Sequence, residues 1–116
     1  RPTMIIYHNP RCSKSRQALA LLRENGVEPE VIEYLKTPPT KSALRDLLRK
    51  LDLSAHDILR AKEDEYKKLG LSPDTAENKI LTAIAANPIL LERPIIIKGN
   101  RALIGRPPEN VVELLR

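Results

Sequence analysis

Thr3-Met4-Ile5-Ile6-Tyr7-His8-Asn9-Pro10-Arg11-Cys12-Ser13 begins as a run of strand formers, is stopped by His8-Asn9-Pro10, and ends at the start of a helical pattern. From Ser13 to Asn25 the apolar residues Ala18, Leu19, Leu21 and Leu22 crowd one side while Arg16 and Arg23 fall elsewhere. Asn25-Gly26 supplies a C-terminal stop. Val31-Ile32-Glu33-Tyr34 then reads as a second strand about one helix-length later. Strand, helix, strand at this spacing is a βαβ unit, which implies a parallel pair joined by a right-handed crossover.

Working outward, Thr37-Pro38-Pro39-Thr40 reads as a turn, and Thr40 can cap a helix over Lys41–Leu51. Its Leu44, Leu47, Leu48 and Leu51 follow the i, i+3, i+4, i+7 pattern. Ser54 can cap a short helix through Leu59. Leu69-Gly70-Leu71-Ser72-Pro73 breaks the chain, and Glu77–Ala86 is helical again with Ile80, Leu81 and Ile84. Roughly residues 40 to 87 thus form a helical insertion. After Arg93-Pro94, Ile95-Ile96-Ile97 reads as a third strand, and Gly99-Asn100 turns it into Ala102-Leu103-Ile104 as a hairpin. Pro107-Pro108 precedes a closing helix with Val111, Val112, Leu114 and Leu115. The outline is βαβ, helices, ββα: a small α/β sandwich with a mixed sheet of about four strands.

The 116 residues suit one domain, 1–116, and 41% hydrophobic residues can supply its core without disulfide or metal staples. That core is aliphatic, because the chain has three tyrosines and neither Trp nor Phe. One cysteine excludes an internal disulfide and any Cys-only zinc or iron–sulfur site, and a lone thiol fits a reducing cytoplasm. No apolar run approaches the ~18–20 residues of a membrane span. The net charge of +5 arises from 20 Lys and Arg against 15 Asp and Glu. These basic residues are scattered and the aromatics few, which argues against nucleic acid and leaves room for a small anionic substrate.

Cys12 falls where the first strand hands over to the first helix, the position at which a βαβ fold presents a helix N-terminus. Free N–H groups and the positive end of the dipole favour a thiolate there. Arg11, Lys14 and Arg16 add positive charge, and the Ser13 and Ser15 hydroxyls can donate to the sulfur. A lone cysteine is often a small buried hydrophobe, but polar neighbours on both sides argue for a reactive one. Cys12-Ser13-Lys14-Ser15 has serine where a dithiol motif has its second cysteine, so any redox cycle through Cys12 needs an outside thiol. His8 can pair with or tune the thiolate. His56, in the insertion, reads as a surface residue. Two histidines and one cysteine so far apart make no metal site. Arg93 and Arg106 lie at strand ends and Arg60 ends the short helix of the insertion. Arginine's planar fork suits tetrahedral oxyanions, and a thiolate meeting a polyanion needs cations converging on both.

From Ile6 to Arg16 the sequence closely resembles the opening motif of the glutaredoxin-coupled arsenate reductases. The resemblance continues through Tyr34–Thr40, Leu59-Arg60, Glu65–Leu71, Asn87–Ile95 and Gly105–Glu109. It implies a thioredoxin/glutaredoxin-like fold with a helical insertion, and Pro94 as the cis-proline facing the cysteine. It implies Cys12 as nucleophile, Arg60, Arg93 and Arg106 as oxyanion ligands, and His8 and Ser15 as groups that help keep Cys12 ionised. It implies arsenate as substrate, glutathione as co-substrate, glutaredoxin as partner and no bound cofactor, while the composition itself gives the expectation of no membrane or nucleic-acid partner. Monomer is the default state. The basic Arg11-Cys12-Ser13-Lys14 and an end at Arg116 are similar to the short, chromosomally encoded members.

Two other readings stand beside this one. A related thiol oxidoreductase would act on glutathione mixed disulfides or another oxyanion, although a disulfide gives no need for three arginines. A redox-responsive RNA polymerase-binding regulator of the same fold would carry a second cysteine where Ser15 stands.

Overall fold

The computed structural model describes residues 4–115, so Thr3, where the sequence reading starts the first strand, lies outside it. The chain divides into two units, one made of the segments up to Thr37 and from Arg93 onward, the other of Pro38–Glu92.

The first unit holds a four-stranded sheet of order β2-β1-β3-β4, with β1 at Met4–Tyr7, β2 at Glu30–Ile32, β3 at Ile95–Lys98 and β4 at Arg101–Ile104. β1 pairs in parallel with β2, Ile6 beside Val31, and antiparallel with β3, Ile6 beside Ile96. The β3–β4 hairpin turns at Gly99, whose φ of +59° suits a residue without a side chain. Helix α1, Ser13–Glu24, follows β1 and stops at Asn25 and a left-handed Gly26. Its Ala18, Leu19 and Leu22 cluster with Met4, Ile6, Ile96, Val111 and Leu114 to form an aliphatic core. This is the mixed α/β architecture expected from the order of elements.

The second strand ends at Ile32, short of the expected Tyr34. The Glu33 carbonyl instead accepts from the N–H groups of Lys36 and Thr37, which closes a turn and places Tyr34 fully buried inside it. The closing segment, Pro108–Leu115, is a 3-10 helix. Pro108 at its first position is compatible with either kind of helix, and β-branched Val111 and Val112 lower α propensity. Arg93–Pro94 is cis, as the resemblance anticipates for Pro94, and Arg106–Pro107 is cis as well. Gly105 donates its N–H to the Pro94 carbonyl at 2.8 Å. A Cβ on Gly105 would stand 2.8 Å from the Pro94 ring and 3.2 Å from Ile96, so the close approach of these chains requires glycine.

In the second unit, α2 runs over Lys41–Leu51 and the Thr40 hydroxyl accepts from the Ala43 N–H at 3.1 Å, the expected cap. A 3-10 turn at Ala55–Ile58 carries a Ser54–Asp57 capping box. Helix α3, Asp64–Lys68, is a short element that no sequence pattern singled out, and α4 spans Glu77–Ala86. Leu44, Leu47 and Leu48 of α2 and Ile80, Leu81 and Ile84 of α4 are buried. His56 is half-buried rather than on the surface, because a ring nitrogen lies 3.0 Å from the Thr75 carbonyl. Leu59 and Leu91 pair as an antiparallel bridge, flanked by Arg60 N–H to Leu90 C=O and Glu92 N–H to Ile58 C=O. Among the described residues no helix is long and apolar enough to cross a membrane, and no His, Cys, Asp and Glu cluster can hold a metal.

Candidate active site

Cys12 is the N-cap residue of α1, with extended backbone angles, and its carbonyl accepts the first helical bond from the Arg16 N–H at 3.0 Å. The residue is partly exposed, as a nucleophile must be. Burial works against ionising the thiol. The N–H of Ser15, a hydrogen bond from Arg93, the N–H of Lys14 and the charge of Arg93 together outweigh it, and the thiol titrates below its ordinary value of 9.0. Arg93 gains in return. Desolvation opposes its charge, but the Cys12 sulfur and the Tyr34 phenol raise its pKa further. Arg106 completes the group: its Nη2 is 4.0 Å from the Cys12 sulfur, and its Nε donates to the Arg93 carbonyl at 2.7 Å. Asn110 grips the same corner by donating to the Arg106 carbonyl at 3.0 Å.

Two arginines separated from Cys12 by most of the sequence are therefore gathered at its sulfur. One precedes β3 and the other follows β4, and antiparallel pairing puts those two strand ends side by side. The parallel pairing of β1 and β2 and the antiparallel pairing of β1 and β3 place the carboxyl end of β1 there too. Arrangements of this kind, a thiolate with guanidinium donors beside it, can hold and attack a tetrahedral oxyanion.

His8 and Ser15 occupy a different position from the one anticipated for the hydroxyls. The Ser15 hydroxyl lies 2.5 Å from His8 Nδ1 and accepts from the Asn9 N–H at 3.0 Å, so it is engaged away from the sulfur. What Ser15 brings to Cys12 is its backbone N–H. Burial lowers the His8 pKa below 6.5, with Glu33 opposing and Arg23 and Arg16 assisting. Burial thus favours the neutral ring, and it meets Ser15 rather than Cys12. Arg60 belongs to the second unit, where its Nη1 donates to Glu92 at 2.8 Å and its Nε is 3.8 Å from Glu63.

Three residues of the neighbourhood escaped the sequence reading. Asn9 makes a set of loop hydrogen bonds, for which Asn-Pro at a strand exit is a recognisable turn signal. Tyr34 reaches Arg93 only because β2 stops early, and periodicity cannot report that. Glu92 binds Arg60 across 32 positions, which no local pattern reveals. Beside the loop, His8, Asn9, Pro10, Arg11, Glu33 and Lys36 line an open cleft of about 340 Å³.

The sequence profile of the ArsC family matches residues 7–114. An arsenate reductase of Neisseria meningitidis serogroup A is 51% identical over 116 residues, covering 98% of this chain and 99% of that one. YfgD of Escherichia coli, described as uncharacterized, is 54% identical over 112 residues, covering 95% and 94%. The solved structure of an arsenate reductase from Vibrio cholerae superposes with a TM-score of 0.93 at 43% identity, covering 97% of each chain.

Proposed function

The chain belongs to the ArsC family, and from that premise we propose that it reduces arsenate to arsenite through a covalent Cys12–arsenic intermediate, with glutathione and glutaredoxin as thiol donors. The observation that carries the reading is the meeting of a partly exposed, acidified Cys12 with Arg93 and Arg106. A disulfide substrate would not call for two guanidinium groups at the sulfur.

In this reading Arg93 and Arg106 hold the arsenate oxygens and offset the repulsion between thiolate and oxyanion. Arg60 is the third ligand, exchanging part of its pairing with Glu92 for the substrate. The Cys12 thiolate attacks arsenic(V), an As–O bond breaks, and the departing oxygen leaves as water once protonated. Glutathione adds next, and a second water leaves. The thiolate of glutaredoxin then attacks the glutathione sulfur. The As–S bond breaks with its electron pair staying on arsenic, which becomes arsenic(III), while two thiol sulfurs are oxidised to one mixed disulfide. Water releases arsenite and restores the Cys12 thiol. The outside thiols are necessary because Ser15 stands where a resolving cysteine would be. His8 and Ser15 act on Cys12 indirectly, by fixing the loop and the Ser15 N–H. A reducing compartment follows from the need to keep Cys12 as a free thiol.

The test is arsenate-dependent NADPH oxidation coupled through glutathione, glutaredoxin and glutathione reductase. Wild type is expected to turn over, and Cys12→Ser is expected to lose at least about a thousandfold, as removal of a nucleophile does. Wild-type protein that is folded, carries a reactive Cys12 and shows no arsenate-dependent rate would overturn the assignment. The mixed-disulfide reading would then be tested next.

A further inference from the structure

The buried polar residues of this chain are not spread through its core. Among the described residues they are His8, Asn9 and Ser15, with relative exposures of 7%, 6% and 0%, and all belong to the loop and first helical turn around Cys12. Burying polar groups is unfavourable unless each finds a partner, so this concentration needs a reason. Asn9 stands at its centre. Its side-chain oxygen accepts from the Arg11 N–H at 3.0 Å, its own N–H donates to the Ser15 hydroxyl at 3.0 Å, and its carbonyl accepts from the Cys12 N–H at 3.0 Å. One residue therefore ties β1's exit to the peptide before Cys12, to Cys12 itself and to the first turn of α1. Arg16 reinforces the same loop by donating to the Pro10 carbonyl at 2.7 Å.

We propose that Asn9 is a positioning residue, holding the loop from His8 to Cys12 in the one shape that presents the Cys12 sulfur to the N–H groups at the start of α1. The proposal deepens the arsenate reading, since it takes Cys12 as the working nucleophile, but the ionisation it explains exists without arsenate. Asparagine suits the position for a specific reason. Pro10 fixes φ at the second position of the turn, the Asn9 carbonyl closes the turn onto the Cys12 N–H, and the Asn9 side-chain oxygen adds a second closure onto the Arg11 N–H that a residue without a side-chain acceptor lacks. The charged groups at the sulfur, Arg93 and Arg106, come from the other end of the chain and do not depend on this turn. The loop and the arginines are thus separable by mutation.

The experiment is a pH titration of Cys12, by thiolate absorbance near 240 nm and by iodoacetamide alkylation rate, on wild type, Asn9→Ala, Asn9→Ser and Leu103→Ala. Leu103, a partly buried residue packed on the core, serves as a control for loosening in general. Asn9→Ala is expected to raise the Cys12 midpoint by about one unit, alkylating about tenfold more slowly below it. Asn9→Ser, whose hydroxyl makes the same turn more weakly, is expected to recover part of the shift. Leu103→Ala is expected to melt earlier and titrate as wild type. In arsenate turnover Asn9→Ala is expected to lower kcat and leave KM near wild type, because the oxyanion ligands are untouched. A wild-type midpoint in Asn9→Ala overturns the proposal, and so does an equal shift in Leu103→Ala. Should Asn9→Ala fail to fold, Asn9→Ser decides: a midpoint raised above wild type supports positioning, and an unchanged midpoint overturns it. Absence of arsenate turnover in wild type would fail the functional reading and leave the titration result standing.

Discussion

The loop around Cys12 and the segment around Arg60 both concentrate polar side chains, yet they handle charge in opposite ways. At Cys12 the acceptor is the sulfur, and backbone N–H groups and Arg93 converge on it. At Arg60 the guanidinium is the donor, and carboxylates converge on it. Its side chain is 19% exposed and Glu92's is 23%, so this ion pair is only partly solvated. The first arrangement leaves a nucleophile stabilised as an anion before any substrate arrives. The second leaves a cation already engaged by Glu92, which under the proposed reading an oxyanion would have to share. Preorganisation therefore resides in the sheet unit, and adjustable binding is the role proposed for Arg60 in the helical unit.

The comparison breaks most readily at Arg93. Arg93→Lys keeps the charge and loses the planar fork, so arsenate kcat/KM is expected to fall about a hundredfold, the scale of one lost transition-state donor. The Cys12 midpoint is expected to rise with it, because the Arg93 hydrogen bond is among the groups that acidify the thiol. An unchanged alkylation profile in this variant would detach Arg93 from the sulfur.

Smaller effects sharpen the contrast on the other side. Arg60→Ala is expected to raise KM for arsenate about tenfold, as loss of one charged hydrogen bond does, with the Cys12 midpoint unmoved. Glu92→Gln keeps the shape and removes the competing charge at 2.8 Å. It is expected to lower KM about two- to fivefold, the size of a partly exposed ion pair. A rise in KM would instead mean that Glu92 holds Arg60 in place for the substrate. Steady-state kinetics on the two variants decides between these roles.

Much of this organisation is legible in the residues. The βαβ opening and the bounds of α2 and α4 follow from apolar spacing with Thr40, Asn25 and Gly26 as punctuation. Cys12 stands out because a thiol among Arg, Lys and Ser at a strand-to-helix junction has few structural explanations. Convergence is harder to read. Arg93 and Arg106 meet Cys12 through pairing of β1 with β3 and β3 with β4, whose registers depend on contacts across the chain. Tyr34 has the β propensity of its neighbours Val31 and Ile32, and only the turn at Glu33 takes it out of the strand. The role of the Ser15 hydroxyl follows the same pattern. Its chemistry allows donation to sulfur, and the buried His8 beside it is the partner instead.

The pH dependence of Cys12 alkylation in wild-type protein, with and without arsenate, tests the central claim most directly. A lowered thiol pKa means that the thiolate is present above the folded-state midpoint and is lost as pH falls through it. The account predicts a midpoint clearly below 9.0 and slower alkylation when arsenate occupies the arginines. A midpoint at or above 9.0, with a rate indifferent to arsenate, would contradict it.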